Sequence, residues 1–303
     1  MREPAARTRC GFVALIGAPN VGKSTLVNAL VGAKVSIVSP KVQTTRMPVR
    51  GIVISGESQI IFVDTPGIFA PKRRLDRAMV DAAWTGAGAA DMAALVVDAA
   101  KGLDEETGAI LGKLAQGRGK NVLILNKIDL VPRDRLLGLT QEANARVPFE
   151  RTFMISALKD DGVADVRDYF AGAVPQGPWH YPADEISDVP FRLMAAEITR
   201  EKLYLRLHQE LPYQSTVETD SWEERKDGSV RIEQTVFVAR DGQKKIVLGE
   251  GGRMIKSISM EARKEIAAAV EKPVHLFLHV KVREDWQDDP ERYRAAGLEF
   301  PKG

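Results

Sequence analysis

Short apolar runs, each closed by a glycine or a polar cluster, recur along the first half of the chain. Residues 12–16 (Phe-Val-Ala-Leu-Ile) form one and stop at Gly17. So short a run, ended by glycine, predicts a buried strand over 11–16. Residues 25–30 read as a helix start, with the helix expected to reach residue 31. Residues 51–54 and 59–63 read as two strands joined by Ser55-Gly56-Glu57-Ser58, a hairpin turn. Further strands are expected at 93–97, 121–125 and 151–155. A helix is expected at 104–116, opened by Asp104, Glu105 and Glu106.

The second half has a different rhythm. Residues 191–209 have helical spacing through Leu193, Ala196, Ile198, Leu203 and Leu207. Strand-like runs at 213–219 and 230–239 flank Lys226-Asp227-Gly228-Ser229, a turn sequence. A segment over 242–248 leads to Gly249-Glu250-Gly251-Gly252 and then to a helix marked by Ile255, Ile258, Ala262, Ile266 and Ala269. In a strand over 274–282, Leu276, Leu278, Val280 and Val282 take one face, and His275, His279 and Lys281 the other. Between the halves, residues 174–182 contain Pro175, Gly177, Pro178 and Pro182, and Asp184, Glu185, Asp188 and Pro190 follow. Neither a helix nor a central strand accommodates this stretch. It reads as a semi-rigid linker over 176–190, between a first domain at 8–175 and a second at 191–303.

Composition adjusts this picture only slightly. The 303 residues suffice for two domains, and the 44% hydrophobic and 28% charged shares are those of a soluble globular protein. A net charge of +2 advertises no global nucleic-acid field, so any such site is local. A lone cysteine, Cys10, excludes an intrachain disulfide and a Cys-rich metal site, and fits a reducing cytosol. Arg2, Arg7 and Arg9 are followed by no long apolar stretch, which argues against a signal peptide, and no run approaches a membrane span. His180, His208, His275 and His279 show no metal-site spacing.

The chemistry sits where the predicted strands end. Gly17-Ala18-Pro19-Asn20-Val21-Gly22-Lys23-Ser24, followed by Thr25, has the spacing Gly-x4-Gly-Lys-Ser between a strand and a helix. Such a loop turns successive backbone N–H groups toward phosphate oxygens and adds the positive end of a helix dipole. Lys23 reaches the outer phosphates, and the Ser24 hydroxyl suits Mg²⁺. The polar loop over 34–47 carries Ser36, Ser39, Thr44 and Thr45, and a threonine there could supply an oxygen to Mg²⁺. Asp64-Thr65-Pro66-Gly67 follows the strand at 59–63. The carboxylate is placed for Mg²⁺, and a Gly67 N–H could meet a terminal phosphate. Asn126-Lys127-Ile128-Asp129 ends the strand at 121–125. Asp129 can accept from guanine N1–H and the exocyclic amine, whereas adenine presents a lone pair there. Asn126 would brace the loops, and the Lys127 stem would cover the base. Ser156-Ala157-Leu158 sits at another strand end, where backbone N–H groups could contact the base carbonyl. Open α/β sheets bind ligands at that edge.

In the second half, the order helix–strand–strand–helix–GxxG–helix–strand resembles a KH RNA-binding module. Lys244, Lys245, Gly249, Glu250, Gly251, Gly252, Arg253 and Lys256, together with Arg240, would form its phosphate track. The expected fold is therefore α/β, a P-loop NTPase domain of small-GTPase type with a mixed, mostly parallel sheet, followed by an α+β type II KH domain.

The wording of the motifs narrows this further. Pro19-Asn20-Val21-Gly22-Lys23-Ser24, Gln43-Thr44-Thr45-Arg46 and Asp64-Thr65-Pro66-Gly67 resemble the Era branch of translation-factor-like GTPases. Glu210-Leu211-Pro212-Tyr213, Glu261-Ala262-Arg263 and Pro273-Val274-His275-Leu276 extend the resemblance over nearly the whole chain. It implies GTP and GDP as ligands, Mg²⁺ on Ser24, Thr45 and Asp64, and hydrolysis of GTP. It also implies binding of the 3′ end of 16S rRNA during assembly of the 30S subunit. A monomeric cytoplasmic protein with peripheral association at the inner membrane belongs to the same implication.

Relatives with asparagine at position 20 use it to hold K⁺ beside the phosphates, which would make Asn20 a potassium ligand here. The chain departs from the pattern at Ala18, where arginine is common, at Glu250, where lysine is usual, and at His279, where tryptophan is frequent. Glu250 should weaken phosphate attraction. Ile68 stands where signalling GTPases place a water-orienting glutamine, so that group must come from elsewhere. Two rival readings stand at this point: a GTP-sensing RNA-binding protein with negligible catalysis, and a related GTPase of another RNA or assembly pathway.

Overall fold

The computed structural model describes residues 8–117, 119–208 and 211–301. Arg2, Arg7, the expected helix end at Gln209, and Glu210 lie outside them. The chain forms two compact units. The first takes the residues up to Ser36, Thr45–Asp188 and those from Tyr293, and the second takes Ile37–Thr44 and Val189–Arg292. Residues 37–44 and those from 293 thus lie with the opposite unit from the one their sequence position suggests.

The first unit contains β1 (Arg9–Ile16), α1 (Lys23–Val31), β2 (Val49–Ser55), β3 (Ser58–Asp64), α2 (Arg74–Ala89), β4 (Met92–Asp98), α3 (Glu105–Leu114), β5 (Asn121–Asn126), α4 (Arg133–Arg146), β6 (Arg151–Met154) and α5 (Val163–Ala173). Its strands lie in the order β2-β3-β1-β4-β5-β6. Only the β2–β3 hairpin is antiparallel. Adjacent residues of β1 feed opposite faces of the sheet. Val13 and Leu15 join a core with Leu26, Val27 and Phe170 of α1 and α5. Ala14 and Ile16 join a core with Ala83, Ile110, Leu111, Leu136 and Leu139 of α2, α3 and α4. Burial on both faces explains why these strands read as continuous apolar runs.

The expected strands and the helix at 104–116 are present. Asp104 caps α3, its side chain accepting from Thr107 N–H at 2.9 Å. The spacing does not predict three helices of the first unit. In α4 only Leu136, Leu139 and Ala143 are buried, too narrow a stripe to stand out from charged neighbours. In α2 the buried positions are Asp76, Ala78, Met79 and Ala83, and α5 buries only Val163, Val166 and Phe170. The linker expected at 176–190 lies along the sheet up to residue 188. The Trp179 indole N–H donates to Glu57 O at 3.1 Å, the Gln59 amide to Tyr181 O at 2.8 Å, and Ile52 N–H to Ile186 O at 2.9 Å. The Ile52–Ile186 bond and a bridge between Gly51 and Ser187 cover part of an otherwise open β2 edge.

The second unit contains α6 (Phe191–Arg206), β7 (Ser215–Glu224), β8 (Val230–Val238), α7 (Asp241–Leu248), α8 (Arg253–Val270) and β9 (Val274–Val282). A short helix, α9 (Pro290–Ala295), follows. The sheet order is β7-β8-β9, with β7–β8 antiparallel and β8–β9 parallel. The strand expected at 213–219 begins later and runs further, because residues 212–214 form a 3-10 turn. The turn at 226–229 closes through Asp227, which accepts from Ser229 N–H at 3.0 Å, with Gly228 at φ 81°. Leu203, Ile258, Val236 and Val280 share one core, and Ile198, Ile232, Ala262, Ile266 and Leu276 share another. This is the α+β arrangement expected of the type II KH pattern.

Candidate functional site

The loop from Gly17 to Ser24 joins β1 to α1. Lys23 is buried, and its ammonium donates to Gly17 O and Ala18 O, both at 3.0 Å. Burial lowers its pKa to about 8, opposed by the charges of Asp64 and Glu106. Gly22 takes φ 98° and ψ 26°, and a Cβ there would sit under 3.0 Å from Asn126 Nδ2. Ala18, Pro19 and Val21 are buried, whereas Asn20, Ser24 and Thr25 are partly open.

Asp64, at the end of β3, is fully buried. The Ser36 hydroxyl donates to its Oδ2 at 2.6 Å and the Thr45 hydroxyl at 3.3 Å. Ser24 Oγ and Thr45 Oγ1 are 2.8 Å apart. Asp64 Oδ1 is buried with no hydrogen-bond partner among the described residues. Burial raises the pKa of this carboxyl, and the Ser36 hydroxyl acts against the rise. An orphaned carboxylate oxygen beside two hydroxyls is an all-oxygen donor set, which fits Mg²⁺. The other candidate threonine points elsewhere. Thr44 Oγ1 donates to Lys41 O at 2.6 Å and lies 2.6 Å from Ser39 Oγ.

Downstream of Asp64, the Thr65 hydroxyl donates to Leu15 O at 2.7 Å. Pro66 is buried beside it. A Cβ on Gly67 would lie under 3.0 Å from Pro19 Cγ, so this turn packs against the phosphate loop. Ile68 N–H donates to Gly17 O at 3.0 Å, while its side chain is buried in the core beside α2. It is a packing residue.

The residues expected to meet the base lie at the ends of β5 and β6. The Asn126 amide donates to Val21 O at 2.9 Å, and its Oδ1 accepts from Ala157 N–H at 3.0 Å. One buried side chain therefore ties the phosphate loop to the loop after β6. Lys127, at φ 63°, donates to Asn20 O and to the Asp98 carboxylate, each at 2.7 Å. The Asp129 side chain is partly buried, 3.4 Å from the exposed Lys159 ammonium. Its carboxyl is held below the usual range, first by the neighbouring Ser156 hydroxyl and then by Lys159. Leu158 is exposed at the rim.

Sequence reasoning missed Asp98, and it named Ser36 in the polar loop without its bond to Asp64. Asp98 closes β4 as Asp64 closes β3, an acid after an apolar run, and that parallel was the available signal.

In the second unit, Gly249, Gly251 and Gly252 take φ of 71°, 60° and 75° between α7 and α8. Lys245, Arg253 and Lys256 are exposed around this loop and Lys244 is partly buried. The exposed Glu250 carboxylate lies 3.5 Å from the Arg253 guanidinium, which it partly neutralises.

The same unit holds the middle of the loop that precedes β2. Lys41 donates to the Tyr204 and Leu207 carbonyls at the end of α6, as a C-terminal capping lysine does. Val38 N–H donates to Glu201 Oε1 at 2.7 Å. Arg200 is fully buried and bonds Glu197 and the Thr44 carbonyl. Burial opposes its charge, and Glu197 sustains it. Among the described residues no helix is long and apolar enough to cross a membrane.

Comparison with known proteins gives this geometry a context. Residues 12–127 match the family model described as a 50S ribosome-binding GTPase, and residues 210–287 match a KH domain. The chain is 68% identical over 299 residues to the GTPase Era of Bradyrhizobium sp. strain BTAi1, covering 99% of this chain and 97% of that one. It is 64% identical to the GTPase Era of Rhizobium meliloti, covering 98% and 95%. It resembles the structure of Era in complex with MgGDPNP and nucleotides 1506–1542 of 16S ribosomal RNA. The TM-score is 0.90 at 36% identity, over 96% of this chain and 99% of that one. A variant of Aquifex aeolicus Era bound to GDP·AlF4⁻ is similar at the same TM-score of 0.90. With a GTPase family match and a KH domain in this order, and near full-length identity to such relatives, the chain belongs to the Era family of GTPases.

Proposed function

We propose that this protein is a GTP-hydrolysing switch that binds the 3′ end of 16S rRNA and assists assembly of the 30S ribosomal subunit. The observation that carries the coupling is the course of residues 36–45. The hydroxyls of Ser36 and Thr45 both bond Asp64, while Ile37–Thr44 belong to the unit that bears the GxxG loop. Any rearrangement of Ser36 and Thr45 around a nucleotide passes along the backbone to a segment held by Glu201, Arg200 and the end of α6. Ser24, Thr45 and Asp64 would hold Mg²⁺, which neutralises charge across the phosphates when bound.

Around the nucleotide, Lys23 and the N-terminus of α1 face the phosphates, Gly67 offers its N–H to the terminal one, and Asp129 accepts from guanine. Ser156, Ala157 and Leu158 close over the base, and Asn126 and Lys127 keep that pocket in register with the phosphate loop. Phosphate release from GTP is expected, with a rate that changes when an RNA oligomer ending in the 16S 3′ sequence is added. No turnover in either condition would refute hydrolysis, and turnover indifferent to that oligomer would refute the RNA target. The family resemblance supports a monomeric cytoplasmic protein with peripheral association at the inner membrane.

Because Ile68 is committed to the core, the charge and water positioning needed for hydrolysis come from other groups. Asn20, in the left-handed region at φ 63° beside the phosphate loop, is our candidate ligand for K⁺. Hydrolysis is expected to run on the order of tenfold faster in K⁺ than in Na⁺ buffer. Equal rates would remove Asn20 from this role.

On the RNA side, Glu250→Lys exchanges a repelling charge for a phosphate ligand. Affinity for a single-stranded oligomer is expected to rise by about threefold to tenfold at low salt, with the salt slope steeper by about 0.7. An unchanged slope would place the RNA backbone away from this loop.

A further inference from the structure

Residues 64–73 link the Asp64–Gly67 turn to α2, and the entry to the helix is fixed by Asp76, whose Oδ2 accepts from Lys72 N–H at 3.1 Å and Arg73 N–H at 3.0 Å. The second half of α2 is held by the sheet core, through Ala83 with Trp84 and Ala87. The first half reaches that core through Val80, and its opposite side is held differently. Ala78 and Met79 are buried against Tyr293 and Leu298, and Leu75, Ala82, Ala296 and Phe300 close the cluster. Residues 293–300 form a hook. Leu298 N–H returns to Tyr293 O at 2.8 Å, Gly297 turns at φ 65°, and the rings of Tyr293 and Phe300 meet edge to face at 4.9 Å. The Arg74 guanidinium, in the first turn of α2, lies 5.0 Å from the Phe300 ring centre. A groove of about 630 Å³, lined by Asp81 and Thr85 of α2 and by Arg50 and Val63 of the sheet, opens beside the hook. At the first turns of α2 it is the hook that buries Ala78 and Met79.

We propose that the hook at 293–300 is a positioning element for GTP hydrolysis. By clamping the first turns of α2 it anchors the far end of residues 64–73, so that the Asp64–Gly67 turn meets the phosphate loop in one geometry. Phe300 and Leu298 touch no reacting atom and act through α2. The proposal rests on the reading of Asp64 and Gly67 as phosphate-site residues. Catalytic rates are far more sensitive to misplacement of such groups than binding is, because binding tolerates a range of geometries that the transition state does not.

The test is steady-state GTP hydrolysis by the full chain carrying Leu298→Ala, Phe300→Ala or the conservative Phe300→Leu, with melting temperature measured on each. For Leu298→Ala and Phe300→Ala, kcat is expected to fall about tenfold with KM within about twofold of the parent, and Phe300→Leu should restore most of the loss. Should Leu298→Ala melt below the assay temperature, Phe300→Ala, at the rim of the cluster, carries the test. An unchanged or raised kcat in a folded variant overturns the hook as a positioning element, as does a change confined to KM. A parent protein that binds GTP without hydrolysing it overturns the underlying reading as well.

Discussion

Replacing Asp129 with Asn is expected to exchange the preferred nucleotide from guanine to xanthine. The Asp129 carboxylate offers only acceptors, and guanine answers with N1–H and the exocyclic amine. An asparagine amide offers one acceptor and one donor. The acceptor still meets N1–H, but the donor faces the guanine amine, which cannot accept. Xanthine carries a carbonyl at that position and completes the pair. Such mismatches discriminate strongly because a polar group is left unpaired in a closed pocket. GTP affinity is expected to fall by on the order of a thousandfold while xanthosine triphosphate gains most of it back. The substitution also removes the contact to Lys159 at 3.4 Å, whose lysine side is exposed and long, so the loss is small. Competition between the two nucleotides, followed by equilibrium binding, reads the outcome directly. Unchanged preference for GTP would dismiss Asp129 as the guanine reader.

The second large effect is expected at Gly22. Its φ of 98° lies where residues with a Cβ are strained, at a cost of about 1–2 kcal/mol. The added methyl must also displace Asn126 Nδ2, which lies within 3.0 Å of where it would stand. Asn126 is not a free-ended side chain. It bonds Val21 O on one side and Ala157 N–H on the other, so moving it opens the phosphate loop and the base pocket together. Gly22→Ala is expected to reduce nucleotide affinity about a hundredfold or more and to lower the melting temperature. Gly138→Ala, in the middle of α4 with open space where a Cβ would stand, is the matched control. It should gain about 1 kcal/mol of stability with nucleotide affinity unchanged. If Gly22→Ala binds GTP normally, Asn126 does not brace the site.

Asn126 shows how far the site could be read from the chain alone. Its motif announced a guanine pocket, and its position at the end of an apolar run placed that pocket at the edge of a sheet. That its amide would reach Val21, 105 positions away, depends on β5 and β1 lying either side of β4. Asp98 is the complementary case. Its place after an apolar run, like that of Asp64, hints at a role but names no partner. Only the pairing of β4 with β5 sets its carboxylate beside Lys127.

The linear order of residues was enough for the nucleotide chemistry, the alternation of strands and helices, and the change from an α/β to an α+β rhythm after residue 190. These depend on short stretches whose spacing acts within a few residues, where backbone geometry and side-chain periodicity leave few alternatives. The chain in three dimensions was needed for the rest. The polar loop at 37–44 has donors and carbonyls that water would satisfy as well as α6 does, so its sequence carries no mark of the partner. The small-residue face of α2 and the scattered Tyr293, Leu298 and Phe300 are each too weak a pattern to stand out, and they make a core only once they are brought together. Ile68 reads as a missing catalytic glutamine, and packing makes it part of the core beside α2. Contacts between residues distant along the chain are set by which surfaces can be buried together, a property that no single stretch of this sequence possesses.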